Sequence, residues 1–408
     1  MNICFVPLAY PSRNVTSGVG IHVQAMAREL QMEGHQVTII ALKGKGEAQD
    51  TWDDGVRVVW VSPSNLHWYI SKIPLLKVLM SPVHETELAI AVQRKLKQLS
   101  AEQAFDLIQL TEVGGFLVCL QKSKMRCPVV LSLHGEKYTI YKRRPDLSPG
   151  IGMYLGRKLQ QIAIKKADHL ISPSLSHADT IREELKRNFQ IAVLPNYIDF
   201  DEIAAEFEPP ASMVKLRPSK IVLYVGRIER GKGVEPLVKC IPEVVRQYPD
   251  VKFVFIGNRH PSLPSDALNT LIAEYGVENH LQILDPVERD EIFAYLHFAS
   301  IVAMPSYYET FGFTFVEGMA MKKPVVGFGG SSLEEIVGDR ENGIVVRLGD
   351  IQALAENILR LLQDEEQAEN MGVNGYNRVK ENFSKEVVLP KFMDFYRTIS
   401  NRQESKGF

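Results

Sequence analysis

The feature that most limits what this chain can become is an alternation that runs through its first half and then starts again. Short apolar runs at residues 2–7, 36–42, 56–61, 106–110, 128–134, 169–172 and 191–194 are separated by amphipathic segments such as 19–33, 84–99 and 153–166. Such short runs have the length of strands buried on both faces. Strands alternating with helices imply βαβ units and a parallel sheet with helices on both sides. The pattern restarts at 220–226, followed by a helical segment at 234–248 and strands at 251–257, 281–284, 300–304, 324–327 and 343–347. Between the two series lies the polar, proline-bearing stretch IDFDEIAAEFEPPASMVKLRPSK, which puts a junction at about 197–218. Residues 351–382 read as one or two helices, and 383–401 as a last one.

The expectation is therefore α/β: two Rossmann-like, doubly wound domains, 1–200 and 201–382, facing across a deep cleft. The length agrees, because 408 residues exceed the roughly 250–300 that one core supports. Residues 1–200 carry 24 basic and 18 acidic side chains and the remainder 23 and 31. This is either two units facing different partners or scattered solvated charge. A formal net charge of -2 argues against nucleic-acid binding. Cys4, Cys119, Cys127 and Cys240 form no C-x-x-C pair and read as buried or incidental thiols of a reducing compartment. The opening MNICFVPLAY lacks the basic start of a signal peptide, and no uncharged stretch reaches the ~18 residues of a membrane span. The expected location is cytoplasmic.

Four motifs carry chemistry. The sharpest is Tyr307-Tyr308-Glu309-Thr310-Phe311-Gly312-Phe313-Thr314-Phe315-Val316-Glu317, where a strand turns into an apolar helix. Gly312 allows close backbone approach, and the amides near Phe313, Thr314 and Phe315 open a helix, a natural anion site. Glu309 and Glu317 can each accept two hydrogen bonds from sugar or ribose hydroxyls. A capped helix with two solvated glutamates is the plainer reading. Gly226-Arg227-Ile228-Glu229-Arg230-Gly231-Lys232-Gly233 follows the first strand of the second series. Arg227 and Lys232 suit phosphate oxygens, although the P-loop spacing is not matched. Ser17-Gly18-Val19-Gly20 follows the first strand, but Val23 stands where a dinucleotide fingerprint needs glycine, and Ile39-Ile40-Ala41-Leu42 ends without an acid. His134, in Ser132-Leu133-His134-Gly135-Glu136, ends a strand and can face a ligand or serve structure. Asp199-Phe200-Asp201 has a metal-binding spacing but reads as turn chemistry.

In that order these motifs resemble family-4 retaining glycosyltransferases of the GT-B fold, over nearly the whole chain. The Glu-x7-Glu pair at Glu309 and Glu317 is the most specific element. The resemblance implies that the second domain holds a nucleotide-sugar and the first holds the acceptor, with the last helix crossing back to the first domain. It implies Arg227 and Lys232 on the diphosphate, Glu317 on the ribose, and Glu309 on the donor hexose. Gly226, Gly312 and the amides after it would complete the donor site, and His134 and Gly18 would line the reaction centre. No metal and no cofactor are implied; the donor is a substrate, with UDP-glucose or another UDP-hexose favoured. Pro286 and Tyr197 stand where the family often has glycine, which bears on the base.

The expected acceptor is a glycan or a lipid-linked acceptor of polysaccharide biosynthesis. Residues 137–166 hold eight basic side chains against Asp146, and Trp68, Tyr69 and the run 70–80 add aromatic and apolar groups. Together they suit peripheral docking on the cytoplasmic face of an anionic membrane, or else a solvated helix face. A sugar-nucleotide epimerase, a phosphorylase and a non-catalytic nucleotide-sugar binder remain the alternatives.

Overall fold

The computed structural model describes residues 1–11, 18–42, 50–135, 150–203, 206–216 and 219–404. The chain divides into two compact units. The first runs to Pro195 and takes up the chain again from Leu389; the second is Asn196–Val388. The division falls just before the expected junction, because residues past it already belong to the second core. Ile198 is buried in that core, its N–H donates to Phe383 O at 2.8 Å, and its carbonyl accepts from Lys385 N at 3.0 Å.

The first unit is built on eight strands: β1 (Asn2–Leu8), β2 (Gln36–Leu42), β3 (Asp50–Asp53), β4 (Val56–Val61), β5 (Leu107–Thr111), β6 (Val129–Ser132), β7 (His169–Ser172) and β8 (Ile191–Val193). Their order is β3-β4-β2-β1-β5-β6-β7-β8. All neighbours are parallel except β3, which runs antiparallel to β4 at the edge. The helix Gly18–Met32 follows β1, and Met80–Glu102 and Ile151–Lys166 cover other strands. The last helix, Lys385–Glu404, joins this unit from Leu389 onward. Tyr396 on it is fully buried, and its hydroxyl donates to Gln109 Oε1 on β5 at 2.7 Å.

The second unit has six parallel strands, β9 (Ile221–Val225), β10 (Lys252–Ile256), β11 (Leu281–Leu284), β12 (Ile301–Met304), β13 (Val325–Phe328) and β14 (Ile344–Val346). Their order, β11-β10-β9-β12-β13-β14, reverses direction between β9 and β12. At such a switch point two neighbouring loops diverge and leave room for a ligand beyond the strand ends. β9 and β12 are buried along their whole length, as strands covered on both faces must be. Asp350 and Asp364 cap the helices Ile351–Gln363 and Glu365–Phe383, accepting from Ala353 N and Gln367 N at 2.9 Å.

Candidate active site

The two motifs of the second unit meet at its switch point. After β9 the chain is pinned by Gly226 N–H donating to Ile256 O at 2.9 Å and Ile228 N–H donating to Asn258 O at 2.8 Å. The Tyr224 hydroxyl donates to Arg227 O at 2.7 Å. The Arg227 guanidinium pairs with buried Glu229 at 3.0 Å. A single turn, Arg230–Lys232, leads to Gly233 at φ +76°. A Cβ there would lie 1.9 Å from Pro305 O, so only glycine lets this loop touch the loop after β12. Tyr307 N–H donates to Gly231 O at 3.0 Å and joins the same two loops.

That contact delivers Lys232 to Glu309. Lys232 Nζ lies 3.1 Å from Oε1 and 3.0 Å from Oε2, and both residues are buried. Leaving water is costly for either charge alone, and the pair with its two hydrogen bonds offsets that cost. Glu309 is further fixed through its main chain, whose carbonyl accepts from Ser332 Oγ at 3.0 Å.

The helix Phe313–Ala320 starts at Gly312, whose φ is +93°. The N–H of Phe315 donates to Gly312 O at 3.0 Å and its ring is fully buried. The amide of Phe315 is thus taken by the helix itself, which narrows the expected anion site to the residues before it. The Thr314 hydroxyl donates to Val225 O at 3.0 Å and locks the helix onto β9. Glu317, two turns in, is buried, and its Oε1 accepts from Arg289 Nη1 at 3.0 Å. Arg289 also reaches Glu202 at 3.2 Å. Burial works against its charge, yet the two glutamates outweigh burial and hold its pKa above the ordinary value.

In the first unit, His134 follows β6. Its ring Nε2 lies 2.8 Å from Ser132 Oγ. Its N–H donates to both oxygens of Glu112, at 3.0 and 3.1 Å. Glu112 is almost fully buried. Burial raises its pKa, against the amides it accepts from and the nearby Arg157. Pro7, Val19, Val23, Thr111, Ser132 and His134 line one hollow at the carboxyl ends of β1, β5 and β6. Gly18 opens the helix that carries Val19, so it stands beside this hollow as the first helical residue rather than in a free loop.

Lys232, Glu309, Glu317 and Arg227 are thus gathered in one unit, and His134 and Gly18 in the other. Sequence reading missed Arg289, Glu112 and Glu229, which hold these residues. Arg289 and Glu112 lie in no motif, and Arg289 is 28 positions from its partner; Glu229 stands inside the Gly226–Gly233 motif, where only Arg227 and Lys232 drew a role. Asp199 accepts from Asp201 N at 3.0 Å and from Lys385 Nζ at 2.8 Å, a turn pinned by an ion pair. His67, His84 and Glu87 bring one ligand-type atom each within 4.8 Å of one another. Glu87 is engaged there by Ser64 Oγ and Leu66 N, both at 2.6 Å.

Among solved structures, sucrose-phosphate synthase from Thermosynechococcus elongatus superposes with a TM-score of 0.80 at 22% identity, over 97% of this chain and 98% of that one. Anabaena Alr3699/HepE in complex with UDP-glucose gives 0.68 at 18%, over 100% and 99%. These likenesses establish the GT-B fold. By sequence, the capsular polysaccharide biosynthesis glycosyltransferase CapM of Staphylococcus aureus is 27% identical over 277 residues, 66% of this chain and 72% of that protein. The family model described as Glycosyltransferase Family 4 matches residues 16–202. The model described as Glycosyl transferases group 1 matches residues 210–378, which hold Arg227, Lys232, Glu309 and Glu317. With its two halves matched in this order, the chain belongs to the family-4 glycosyltransferases and is a glycosyltransferase.

Proposed function

We propose that this glycosyltransferase moves a hexose from a UDP-sugar, UDP-glucose or a close relative, to a glycan or lipid-linked acceptor of polysaccharide assembly, with retention and without a metal. The observation that carries the reading is the Lys232–Glu309 pair, at 3.0 Å, beside the start of the helix that bears Glu317. A cation, a helix N-terminus and two held carboxylates suit a diphosphate flanked by a sugar and a ribose. Arg227 and Lys232 supply the positive charge that a metal would otherwise bring to the leaving diphosphate. The complex of HepE with UDP-glucose and the capsular role of CapM support the donor and the pathway class.

In the transfer, the acceptor oxygen bonds to the anomeric carbon while that carbon's bond to the β-phosphate oxygen breaks. The departing phosphate oxygen takes the acceptor's proton on the same face. Glu309 orients the hexose, Glu317 the ribose, and His134 with Gly18 borders the acceptor. A lipid-linked acceptor would place the protein on the cytoplasmic face of a membrane; no helix among the described residues is long and apolar enough to cross one.

The test is thermal shift with a panel of nucleotide-sugars in EDTA, on the wild type and Glu317→Ala. A ligand that binds only the folded state adds about 2.7 kcal/mol of stability at a hundredfold excess over Kd, and Tm rises accordingly. The expected result is a shift with one UDP-hexose that Glu317→Ala abolishes. A shift with no nucleotide-sugar, with or without magnesium, rejects the donor assignment; binding without product formation rejects transfer.

A further inference from the structure

Among the described residues, twelve of the eighteen exposed large apolar side chains lie in just two segments, 66–80 and 151–155. Leu75 is 89% exposed and Ile151 70%. Scattered apolar residues on a surface need no explanation, but a concentration of this kind does. The two segments form one surface. A Cβ on Gly152 would meet Val78 O at 1.9 Å and one on Gly156 would meet Ser81 Oγ at 2.7 Å. The helix Ile151–Lys166 thus lies directly on the turn Lys77–Leu79.

The chemistry of that surface is specific. Trp68 and Tyr69 stand edge to face, 5.1 Å apart, and both are half exposed. Lys72 Nζ lies 3.4 Å from the Trp68 ring centre and Lys158 Nζ 5.0 Å from that of Tyr154. No Asp or Glu occurs from residue 66 to 84 or within 151–166. The next acids, Glu85 and Glu87, are turned inward: Glu85 accepts from Gly114 N at 2.9 Å and Gln160 Nε2 at 2.7 Å. Glu87 binds Leu66 N and His67 Nδ1, at 2.6 and 2.5 Å, and anchors the aromatic segment to the unit.

We infer that residues 66–80 and the start of the helix Ile151–Lys166 are a docking surface for a bilayer carrying anionic lipid. Tryptophan and tyrosine favour the boundary between headgroups and acyl chains, and lysines beside them reach the lipid phosphates. The charge favours an anionic surface over a second copy, because a patch with Lys72, Lys77 and Lys158 and no acid offers its own copy no opposite charge. The inference deepens the proposed function by naming the surface that meets the membrane. It rests on the membrane clause of that reading and is independent of the donor.

The test is sedimentation of the full-length protein, without nucleotide-sugar, on phosphatidylcholine vesicles with and without phosphatidylglycerol. The expected result is binding to the anionic vesicles that weakens as salt rises. Lys72→Ser and Lys77→Ser should each weaken it about fivefold, and Leu75→Asp about tenfold or more. Circular dichroism and the nucleotide-sugar thermal shift report whether each variant is folded. For the native fold, brominated acyl chains should quench tryptophan emission, and Trp68→Phe should remove most of that quenching. Failure of the wild type to bind anionic vesicles overturns the inference, as does binding that the variants leave unchanged. Dimerisation that Leu75→Asp abolishes, without vesicle binding, gives the surface to a second copy instead. A donor shift with no vesicle binding would spare the donor assignment, and the reverse outcome would spare this surface.

Discussion

Lys232 and Glu309 are better understood as one group than as two ligand contacts. The two buried charges face each other, and removing Lys232 takes from buried Glu309 the cation it lies against. Lys232→Met should therefore cost about 3–5 kcal/mol of stability, while Lys232→Met with Glu309→Leu should restore most of it. Urea unfolding of the single and double variants measures this, and additive losses would mean that the pair is not coupled. Both variants should lose donor binding. The individual residues were legible in the sequence because Lys232 lies in a glycine-rich loop after a strand and Glu309 opens the Glu-x7-Glu segment where a strand turns into a helix. Their pairing was not, because 77 residues separate them and only the crossing of the loops after β9 and β12 brings them together. Arg157 shows the same limit from the other side. It counted as surface charge in the sequence, yet it is buried and bonds Glu184 at 2.6 Å. Residue type predicts what a side chain can do; the fold decides what it faces.

At the scale of elements, the central strands were the easiest part to read. A strand covered on both faces must be apolar throughout, so β1, β2, β9 and β12 announce themselves. The edge strand β3, Asp-Thr-Trp-Asp, was missed because it is only partly buried and carries no apolar run. Packing between helices was equally hidden. His22, on the helix Gly18–Met32, is buried with its ring 6.0 Å from that of Phe392 on the last helix. Burial, reinforced by nearby His134, lowers its pKa to about 3. The unfolded chain takes up a proton near pH 6.5 that the folded chain refuses until about pH 3. Stability contributed by neutral His22 is thus complete above pH 6.5 and is lost as pH falls toward 3, by up to about 1.4 kcal/mol per pH unit. His22→Gln should flatten the decline of Tm between pH 6.5 and 4.5 relative to the wild type, with no change of slope between pH 7 and 9. Equal slopes in the acid range would mean that His22 is protonated in the folded state.

At the scale of the whole molecule, the chain leaves its first unit at Pro195, builds the second, and returns at Leu389 to finish the first. The return is structural in the strict sense. Leu389, Phe392, Met393 and Tyr396 are buried, and the Tyr396 ring lies 6.4 Å from that of Phe5 on β1. Each such side chain contributes about 1.5–3 kcal/mol when buried, so the four together rival the 5–15 kcal/mol that stabilises an ordinary domain. A chain ending at Val388 should therefore lose the first unit and keep the second. Calorimetry should show the full-length protein's transition reduced to that of one unit, and the nucleotide-sugar thermal shift should survive in the remainder, because Arg227, Lys232, Glu309 and Glu317 all lie between Asn196 and Val388. If the truncated chain melts with undiminished enthalpy, the last helix covers the first unit without completing its core. If the donor shift disappears together with the first unit, donor binding requires groups from outside the second, and the division of labour between the two halves must be redrawn.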